Sequence, residues 1–196
     1  MQNKPVALVT GANKGIGKEI ARQLGAQGLT VLVGARDLER GEEAAAELKA
    51  SGANSHAVRL DVTDEASIAE AARRIEEEFG GLDVLVNNAA IAQDSVPPSQ
   101  LDMATLRRTF ETNVFGVVAV TQAMLPMLRK SSAGRIVNLS SGLASLAQNS
   151  DPDWAFDSVN LLAYNSSKTA LNAVTVQFAK ELRDTPIKVN AADPGY

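Results

Sequence analysis

The fold is decided by residues 6–17, Val6-Ala-Leu-Val-Thr10-Gly11-Ala-Asn-Lys14-Gly15-Ile-Gly17, in which an apolar run leads straight into a glycine-rich turn. The apolar residues 6–9 have the length and composition of a strand buried on both faces. The glycines leave no Cβ in the turn, so the backbone can approach a ligand closely. An amphipathic helix follows and points its first N–H groups at the same place. The stretch predicts a strand, an anion-binding turn and a helix.

Similar apolar runs recur along the chain and predict a sheet. Runs of strand length lie at 6–9, 31–33, 57–60, 84–86, 136–139 and 187–189, and helical segments lie between them at 15–28, 39–51, 65–79, 101–130 and 161–184. Strand–helix alternation with right-handed crossovers gives a parallel sheet covered on both faces. We therefore predict a single doubly wound α/β domain, Rossmann-like, over residues 1–196.

Composition narrows the classes of function. The 196 residues are 45% hydrophobic and carry a net charge of −4 with both signs interspersed, which predicts no nucleic-acid partner. There is no cysteine, and the one histidine, His56, stands far from every motif, so we predict no metal site. No apolar run approaches the roughly 18 residues of a membrane span, and the N-terminus does not resemble a signal peptide. We expect a cytoplasmic protein with no membrane partner.

The glycine-rich turn is placed where a doubly wound domain binds a dinucleotide. It opens the first strand–helix unit, although its spacing Gly-x-x-x-Gly-x-Gly differs from the usual Gly-x-Gly-x-x-Gly. The alternative is a tight turn with no ligand. In the dinucleotide interpretation the cofactor-binding residues here are Gly11, Asn13, Lys14, Gly15, Ile16 and Gly17.

The end of the second strand indicates which dinucleotide. An acid there usually binds the ribose hydroxyls of NAD, whereas a 2′-phosphate requires cations. Here Ala35 is followed by Arg36, and Lys14 of the turn is able to reach the same phosphate. Asp37 complicates the choice, because the alternatives are that it contacts the ribose or that it pairs with Arg36. We predict NADP(H), with NAD(H) as the alternative.

Tyr164 and Lys168 stand four residues apart in the helical segment 161–184 and so leave the same face of the helix. A positive charge beside a phenol favours the phenolate and lowers its pKa towards the range useful for proton transfer. A pair at this spacing also arises by chance on helix surfaces. The pair is therefore a candidate acid–base site that other motifs have to support.

These motifs together resemble the short-chain dehydrogenase/reductase family over essentially the whole chain. The resemblance rests on seven motifs in the family's order: Thr10-Gly-x-x-x-Gly15-x-Gly17, Asp61-Val62, Asn87-Asn88-Ala89-Ala90, Asn113, Ser140-Ser141, Tyr164-x-x-x-Lys168 and Pro194-Gly195. Within the family, the chain looks most like NADPH-dependent carbonyl reductases.

The resemblance implies a role for each catalytic residue. Tyr164 would be the general acid or base, and Lys168 would lower its pKa and hold a cofactor ribose hydroxyl. Ser141 would hydrogen-bond the substrate carbonyl. Asn113 would hold a water that links Lys168 to solvent, or be only a packing amide. The resemblance also implies cofactor contacts from Asp61, Val62, Asn87, Tyr164, Lys168, Pro194 and Gly195, although Asp61 would alternatively be a turn residue.

Three departures from the family pattern affect the predictions. Ala90 stands where the family often has glycine. Residues 148–159 are an insertion, and its Trp154 and Phe156 would either bind substrate or form a local packing pair. The chain stops just after the sixth strand, so we expect the family's C-terminal segment to be lacking.

The predicted function is hydride transfer between NADP(H) and a small to medium apolar ketone or aldehyde, or the matching alcohol. The alternatives are an NADP(H)-binding regulatory protein or inactive fragment without turnover, and epimerisation or dehydration on the same cofactor. The only partner expected is the small-molecule substrate, and the sequence does not decide between a monomer and a homo-oligomer.

Overall fold

A parallel sheet forms the centre of the computed structural model, which describes residues 4–195. The ends of the predicted 1–196 domain, residues 1–3 and 196, lie outside the described residues. The strands are β1 Val6–Thr10, β2 Thr30–Ala35, β3 Asn54–Arg59, β4 Val84–Asn87, β5 Arg135–Leu139 and β6 Lys188–Ala192. Their order is β3-β2-β1-β4-β5-β6, and every neighbouring pair is parallel. The predicted doubly wound sheet is confirmed.

The helices connect the strands on both faces of the sheet. They are α1 Gly15–Ala26, α2 Leu38–Ala50, α3 Glu65–Phe79, α4 Met103–Phe110, α5 Gly116–Leu128, α6 Leu146–Asn149 and α7 Leu162–Glu181, with short 3₁₀ turns at Pro98–Gln100 and Gly142–Ala144. No helix in the described part of the chain has the length and apolar content to cross a bilayer.

The predicted helix 101–130 is not continuous. A π-helical turn, Glu111–Phe115, separates α4 from α5 and contains Asn113. The turn lies where another segment comes unusually close, since a Cβ on Gly116 would stand 2.6 Å from the carbonyl oxygen of Val62. A helical pattern in sequence does not distinguish α from π turns, which are frequent at functional sites.

The core lies on the two faces of the sheet because successive strand residues point to opposite sides. Leu8 and Leu85 pack with α3 and α5 on one face, and Val9 and Val86 pack with α1 and α2 on the other. Strand β3 begins three residues before the predicted start at residue 57. Its first residues are polar and escape an apolar search, yet the buried Ser55 satisfies its hydroxyl by donating to the carbonyl oxygen of Ala45, 2.7 Å away.

The strand order creates a crevice at one edge of the sheet. Strands β1 and β4 are neighbours, but the chain leaves β1 towards β2 and leaves β4 towards β5. The loops that follow these two strands therefore diverge, which opens a space beyond their carboxyl ends. This is where the predicted motifs converge.

Candidate active site

A cleft of about 970 Å³ occupies that crevice. Its walls come from the glycine-rich turn after β1, the ends of β2 and β3, the segment after β4, and the first turns of α7. Of the predicted site residues, those lining it are Gly11, Asn13, Lys14, Gly15, Ile16, Gly17, Arg36, Asp61, Val62, Tyr164, Lys168 and Pro194. Residues far apart in sequence therefore share one cavity.

The glycine-rich turn has the geometry of a phosphate cradle. Gly11 and Gly15 have φ values of +64° and +57°, which residues with a Cβ rarely adopt. No atom lies within 4 Å of the place where a Cβ on Gly15 would stand, so its backbone faces open space. At Gly17, a Cβ would meet the Gly11 carbonyl oxygen at 2.8 Å. Together with the N-terminus of α1, this cradle fits a pyrophosphate.

Asn88 joins the two strands that border the crevice. Its side-chain amide donates to the carbonyl oxygens of Thr10 and Gly11, at 2.8 and 3.3 Å. In return, the Thr10 hydroxyl accepts the backbone N–H groups of Asn88 and Ala89, at 3.0 and 2.9 Å. These contacts fix the glycine turn against the segment after β4. The predicted site residues omit Asn88, although it belongs to the Asn87-Asn88 motif.

Asn87 does not line the cleft. Its side chain is 3% exposed and donates to Thr121 Oγ1 at 3.1 Å and to Asn138 Oδ1 at 2.8 Å. Asn138 in turn donates to Thr175 Oγ1 at 2.9 Å. The side chain of Asn87 thus ties β4 to β5, α5 and α7 inside the protein, and the cleft is lined instead by the residues that follow it.

Cations surround the end of the cleft near β2. Arg36 and Lys14 line it, as predicted for a 2′-phosphate site. Asp37 pairs with neither of them. It caps α2 by accepting the Arg40 backbone N–H at 3.3 Å, and its other oxygen lies 3.4 Å from Arg40 Nε. Arg40 and Arg108 also line the cleft, and only the tertiary structure brings them there.

Asp61 forms the turn that the sequence left as an alternative, and its predicted cofactor contact stays a prediction. It lines the cleft, and it also forms a turn in which Oδ1 accepts the Thr63 backbone N–H at 3.0 Å and the Thr63 hydroxyl at 2.8 Å. The backbone hydrogen bond is the main reason that the pKa of Asp61 lies below its ordinary value, and Arg36 lowers it further. The carboxylate is therefore charged and fixed at neutral pH.

Tyr164 and Lys168 lie on the same face of α7 and both line the cleft. Lys168 Nζ is 5.7 Å from the centre of the Tyr164 ring. Although it is charged, Lys168 is only 3% exposed, and its Nζ donates to the carbonyl oxygen of Leu139 at 2.6 Å. Burial lowers the pKa of Lys168 to about 8. A solvated surface lysine, the ordinary alternative for such a pair, is excluded.

Asn113 is fully buried and holds two elements that border the cleft. Its Oδ1 accepts the Ile91 N–H at 2.8 Å, and its Nδ2 donates to the Ile91 carbonyl oxygen at 2.8 Å and to Ser167 Oγ at 3.0 Å. Ser167 Oγ also donates to the Tyr164 carbonyl oxygen at 2.7 Å. Asn113 thus connects the segment after β4 to the first turns of α7.

Ser141 lies at the end of β5, beside the cleft but not in its lining. Its Oγ accepts the Leu143 N–H at 3.2 Å and caps a 3₁₀ turn. The neighbouring Ser140 lines the cleft and donates to Asn172 Oδ1 at 2.7 Å. Ser140 therefore joins the end of β5 to α7, whereas Ser141 holds the turn that follows.

The insertion 148–159 contributes no residue to the cleft lining. Trp154 and Phe156 are half-buried and pack edge to face against each other, with ring centres 5.4 Å apart. This geometry matches the local packing pair that the sequence left as an alternative. Pro194 lines the cleft, and the next residue, Gly195, has a φ of +78°.

Among residues 4–195, no group of three or more histidine, cysteine, aspartate or glutamate side chains is arranged to hold a metal ion. His56 lies within β3 and packs its ring edge against Phe79, with centres 5.2 Å apart. The groups of the cleft that are available for binding and chemistry include cations, glycines, the phenol of Tyr164 and the buried ammonium group of Lys168.

Comparison with known proteins agrees with this geometry. The sequence model of the family described as short chain dehydrogenase matches residues 5–196. The chain is a short-chain dehydrogenase. It is 40% identical to a short-chain dehydrogenase of Penicillium roqueforti over 98% of this chain and 79% of that protein. It is 38% identical to a cis-4-hydroxycyclohexanecarboxylate dehydrogenase of Sinomonas cyclohexanicum over 97% and 72%.

Solved structures of other short-chain dehydrogenases have the same fold. A gluconate 5-dehydrogenase from Burkholderia cenocepacia, in complex with NADP and tartrate, superposes with a TM-score of 0.87 at 27% identity, over 98% of this chain and 71% of that one. A metagenomic short-chain oxidoreductase in complex with NADP gives 0.85 at 31% identity, over 98% and 82%. The protein is thus an oxidoreductase of a family that uses NAD(P)(H) on small molecules.

Proposed function

We propose that this short-chain dehydrogenase transfers a hydride between NADP(H) and a small to medium apolar ketone or aldehyde, or the matching alcohol, with Tyr164 as general acid and base. The observation that carries the proposal is the buried Lys168 beside Tyr164 in the lining of the cleft. When bound, the nicotinamide supplies or accepts the hydride, and the protein supplies position and electrostatics.

Lys168 and Tyr164 handle the proton. The ammonium group favours the phenolate form of Tyr164, so the hydroxyl gives its proton more readily to a carbonyl oxygen on which negative charge develops. Leu139 accepts one N–H of Lys168, which leaves two ammonium donors for a ribose hydroxyl and the phenol. Among the lining residues that the structure describes, no other pair combines a titratable hydroxyl with an adjacent cation.

Ser141 is proposed to orient the carbonyl. Its Oγ accepts the Leu143 N–H, and a hydroxyl that accepts in this way keeps its own hydrogen for a substrate oxygen. Asn113 is proposed to contribute to the geometry of the site by holding Ile91 and Ser167 in place with its hydrogen bonds. The predicted water link from Asn113 to Lys168 stays a proposal. The substrate contacts predicted for Trp154 and Phe156 stay untested, and the packing of the two rings outside the cleft lining favours the local packing pair instead.

The experiment is a panel of ketones and aldehydes with NADPH, followed by the loss of NADPH absorbance. Tyr164→Phe is expected to reduce kcat by about 10²–10⁴-fold with NADPH affinity retained. Lys168→Met is expected to impair turnover as well, whereas Lys180→Met, the same substitution at an exposed position of α7, serves as its control. NADPH binding without turnover on any substrate would refute the enzyme and support a regulatory protein.

The preference for NADP(H) is proposed from Arg36 and Lys14 at the cleft, and from the pairing of Asp37, the acid next to Arg36, with Arg40 instead. Two similar solved structures contain NADP. Arg36→Asp is expected to shift the kcat/KM ratio towards NADH by at least about tenfold. Arg183→Asp makes the same charge change at an exposed position after α7. An equal ratio in the two variants would refute the phosphate clamp.

A further inference from the structure

Asp94 is a buried acid that the proposed chemistry does not use. It follows the cleft-lining residues 88–93 and is 6% exposed. Its Oδ2 accepts the backbone N–H of Ala163 at 2.7 Å. Its Oδ1 is buried and has no hydrogen-bond partner within residues 4–195. A buried carboxylate with an unpaired oxygen lowers the free energy of unfolding. A contribution to fold stability therefore does not by itself explain an aspartate at this position.

Helix α7 has no cap of its own. Its N-cap residue, Leu161, has no side-chain acceptor, and its first turn contains no acid. The first N–H groups of a helix lack partners within the helix and carry the positive end of its dipole. Asp94, 69 residues earlier in the chain, supplies the missing acceptor and a negative charge. The capped residue, Ala163, directly precedes Tyr164.

The segment that carries Asp94 is attached to the same turns of α7 a second time. Asn113 binds both backbone groups of Ile91 and donates to Ser167, which donates to the Tyr164 carbonyl oxygen. Asp94 and Asn113 therefore bind Ala163 and Ser167, the residues that precede and follow Tyr164 in the first turns of α7. A closed set of hydrogen bonds joins the segment after β4, the π-helical turn and the start of α7.

We propose that Asp94 is a positioning residue for Tyr164: by capping α7 at Ala163, it fixes the first turn of the helix against the cofactor side of the cleft. This inference rests on the proposed function, because the position of Tyr164 matters most if Tyr164 transfers a proton. Small displacements of such a group are costly to the rate.

The test uses the full chain and two kinds of variant. Asp94→Asn keeps an oxygen that accepts the Ala163 N–H, whereas Asp94→Ala removes it. Asp64→Ala is the matched control, because Asp64 caps α3 by accepting the Ala66 N–H at 2.9 Å and does not line the cleft. Two readouts are measured: hydrogen–deuterium exchange of a peptide spanning residues 161–168, and kcat and the KM for NADPH.

Asp94→Ala is expected to accelerate exchange in 161–168 and to lower kcat about tenfold with an unchanged KM for NADPH, while Asp94→Asn stays close to wild type in both. Asp64→Ala should change neither. If Asp94→Ala does not fold, Asp94→Ser, whose oxygen reaches less far, is expected to behave as Asp94→Ala does.

Unchanged exchange in Asp94→Ala or in a folded Asp94→Ser, or an equal loss of kcat in the asparagine and alanine variants, would overturn the positioning role. The exchange experiment needs no substrate. A protein without turnover on any carbonyl would therefore refute the proposed function, while the exchange results would still decide whether Asp94 fixes the start of α7.

Discussion

Replacing Lys168 with methionine is expected to make stability respond differently to pH. The pKa of Lys168 is about 8 in the folded protein against 10.5 for an ordinary lysine. Between these values the unfolded chain binds more protons than the folded one, so wild-type stability rises with pH. The cost of burying the ammonium, about 3 kcal/mol, applies fully below about pH 8 and disappears above about pH 10.5.

Methionine keeps most of the side-chain volume and carries no charge. The variant avoids the cost of the buried ammonium but leaves the Leu139 carbonyl oxygen without its donor, which costs about 1–3 kcal/mol. At pH 7 we therefore expect Lys168→Met to be more stable than wild type by about 1 kcal/mol. Because only the wild type loses the cost of the buried charge as the pH rises, the difference in the free energy of unfolding should change by about 2–3 kcal/mol in favour of the wild type between pH 7 and pH 10.

The measurement is urea unfolding, followed by circular dichroism, of wild type, Lys168→Met and Lys180→Met over that pH range. Subtracting the pH dependence of the free energy of unfolding of each variant from that of the wild type cancels the contributions of the titrating groups that they share. Lys180→Met removes a lysine charge at an exposed position of the same helix and is the control for that change. A flat difference for Lys168→Met would show that burial does not lower the pKa of Lys168, and a change of opposite sign would indicate an acid beside it.

Three further outcomes are expected. Gly17→Ala should lower the free energy of unfolding by about 1–2 kcal/mol and raise the KM for NADPH, because its Cβ would meet a carbonyl oxygen at 2.8 Å. The control Gly81→Ala places its Cβ in open space and should change neither quantity. Equal unfolding midpoints for the two variants would contradict this prediction. Asn138→Ala should lose about 3 kcal/mol in urea unfolding, against less than about 0.5 for the exposed Asn190→Ala. Trp154→Ala should leave the KM for a ketone within about twofold, since its ring packs on Phe156 outside the cleft lining; a tenfold rise would assign it to the substrate site.

Features that depend on local pattern were predictable from the sequence. The glycine turn after β1 and the pairing of Tyr164 with Lys168 on one helix face follow from residues close together in the chain. The polar start of β3 at Asn54 was missed, because its polar side chains break the apolar run and are satisfied by distant partners. The π-helical turn at Asn113 is not predictable either, because a helical pattern does not distinguish α from π turns and the Asn113 amide is held by the distant Ile91.

Contacts between distant segments explain what the sequence left open at the site. The sequence left two possible partners for Asp37, the cofactor ribose and Arg36, and the structure pairs it with neither but with Arg40, one turn along α2. Arg108 and Asp94 carry no local signal, because each reaches the site region only after the helices have packed. Long-range packing is not encoded in spacing, so residue type alone cannot select these positions.

By itself, the sequence determined the order of strands and helices, the family motifs and the chemical groups available to them. Only the tertiary structure decided how those groups are used. Asn87 and Asn88 are identical neighbours, yet one is buried among Thr121 and Asn138 while the other clamps Thr10 beside the cleft. Successive residues at a strand end point to opposite sides, and the surrounding packing decides which side is the interior. Lys168 likewise acquires its lowered pKa from burial, a property of the folded protein and not of the residue.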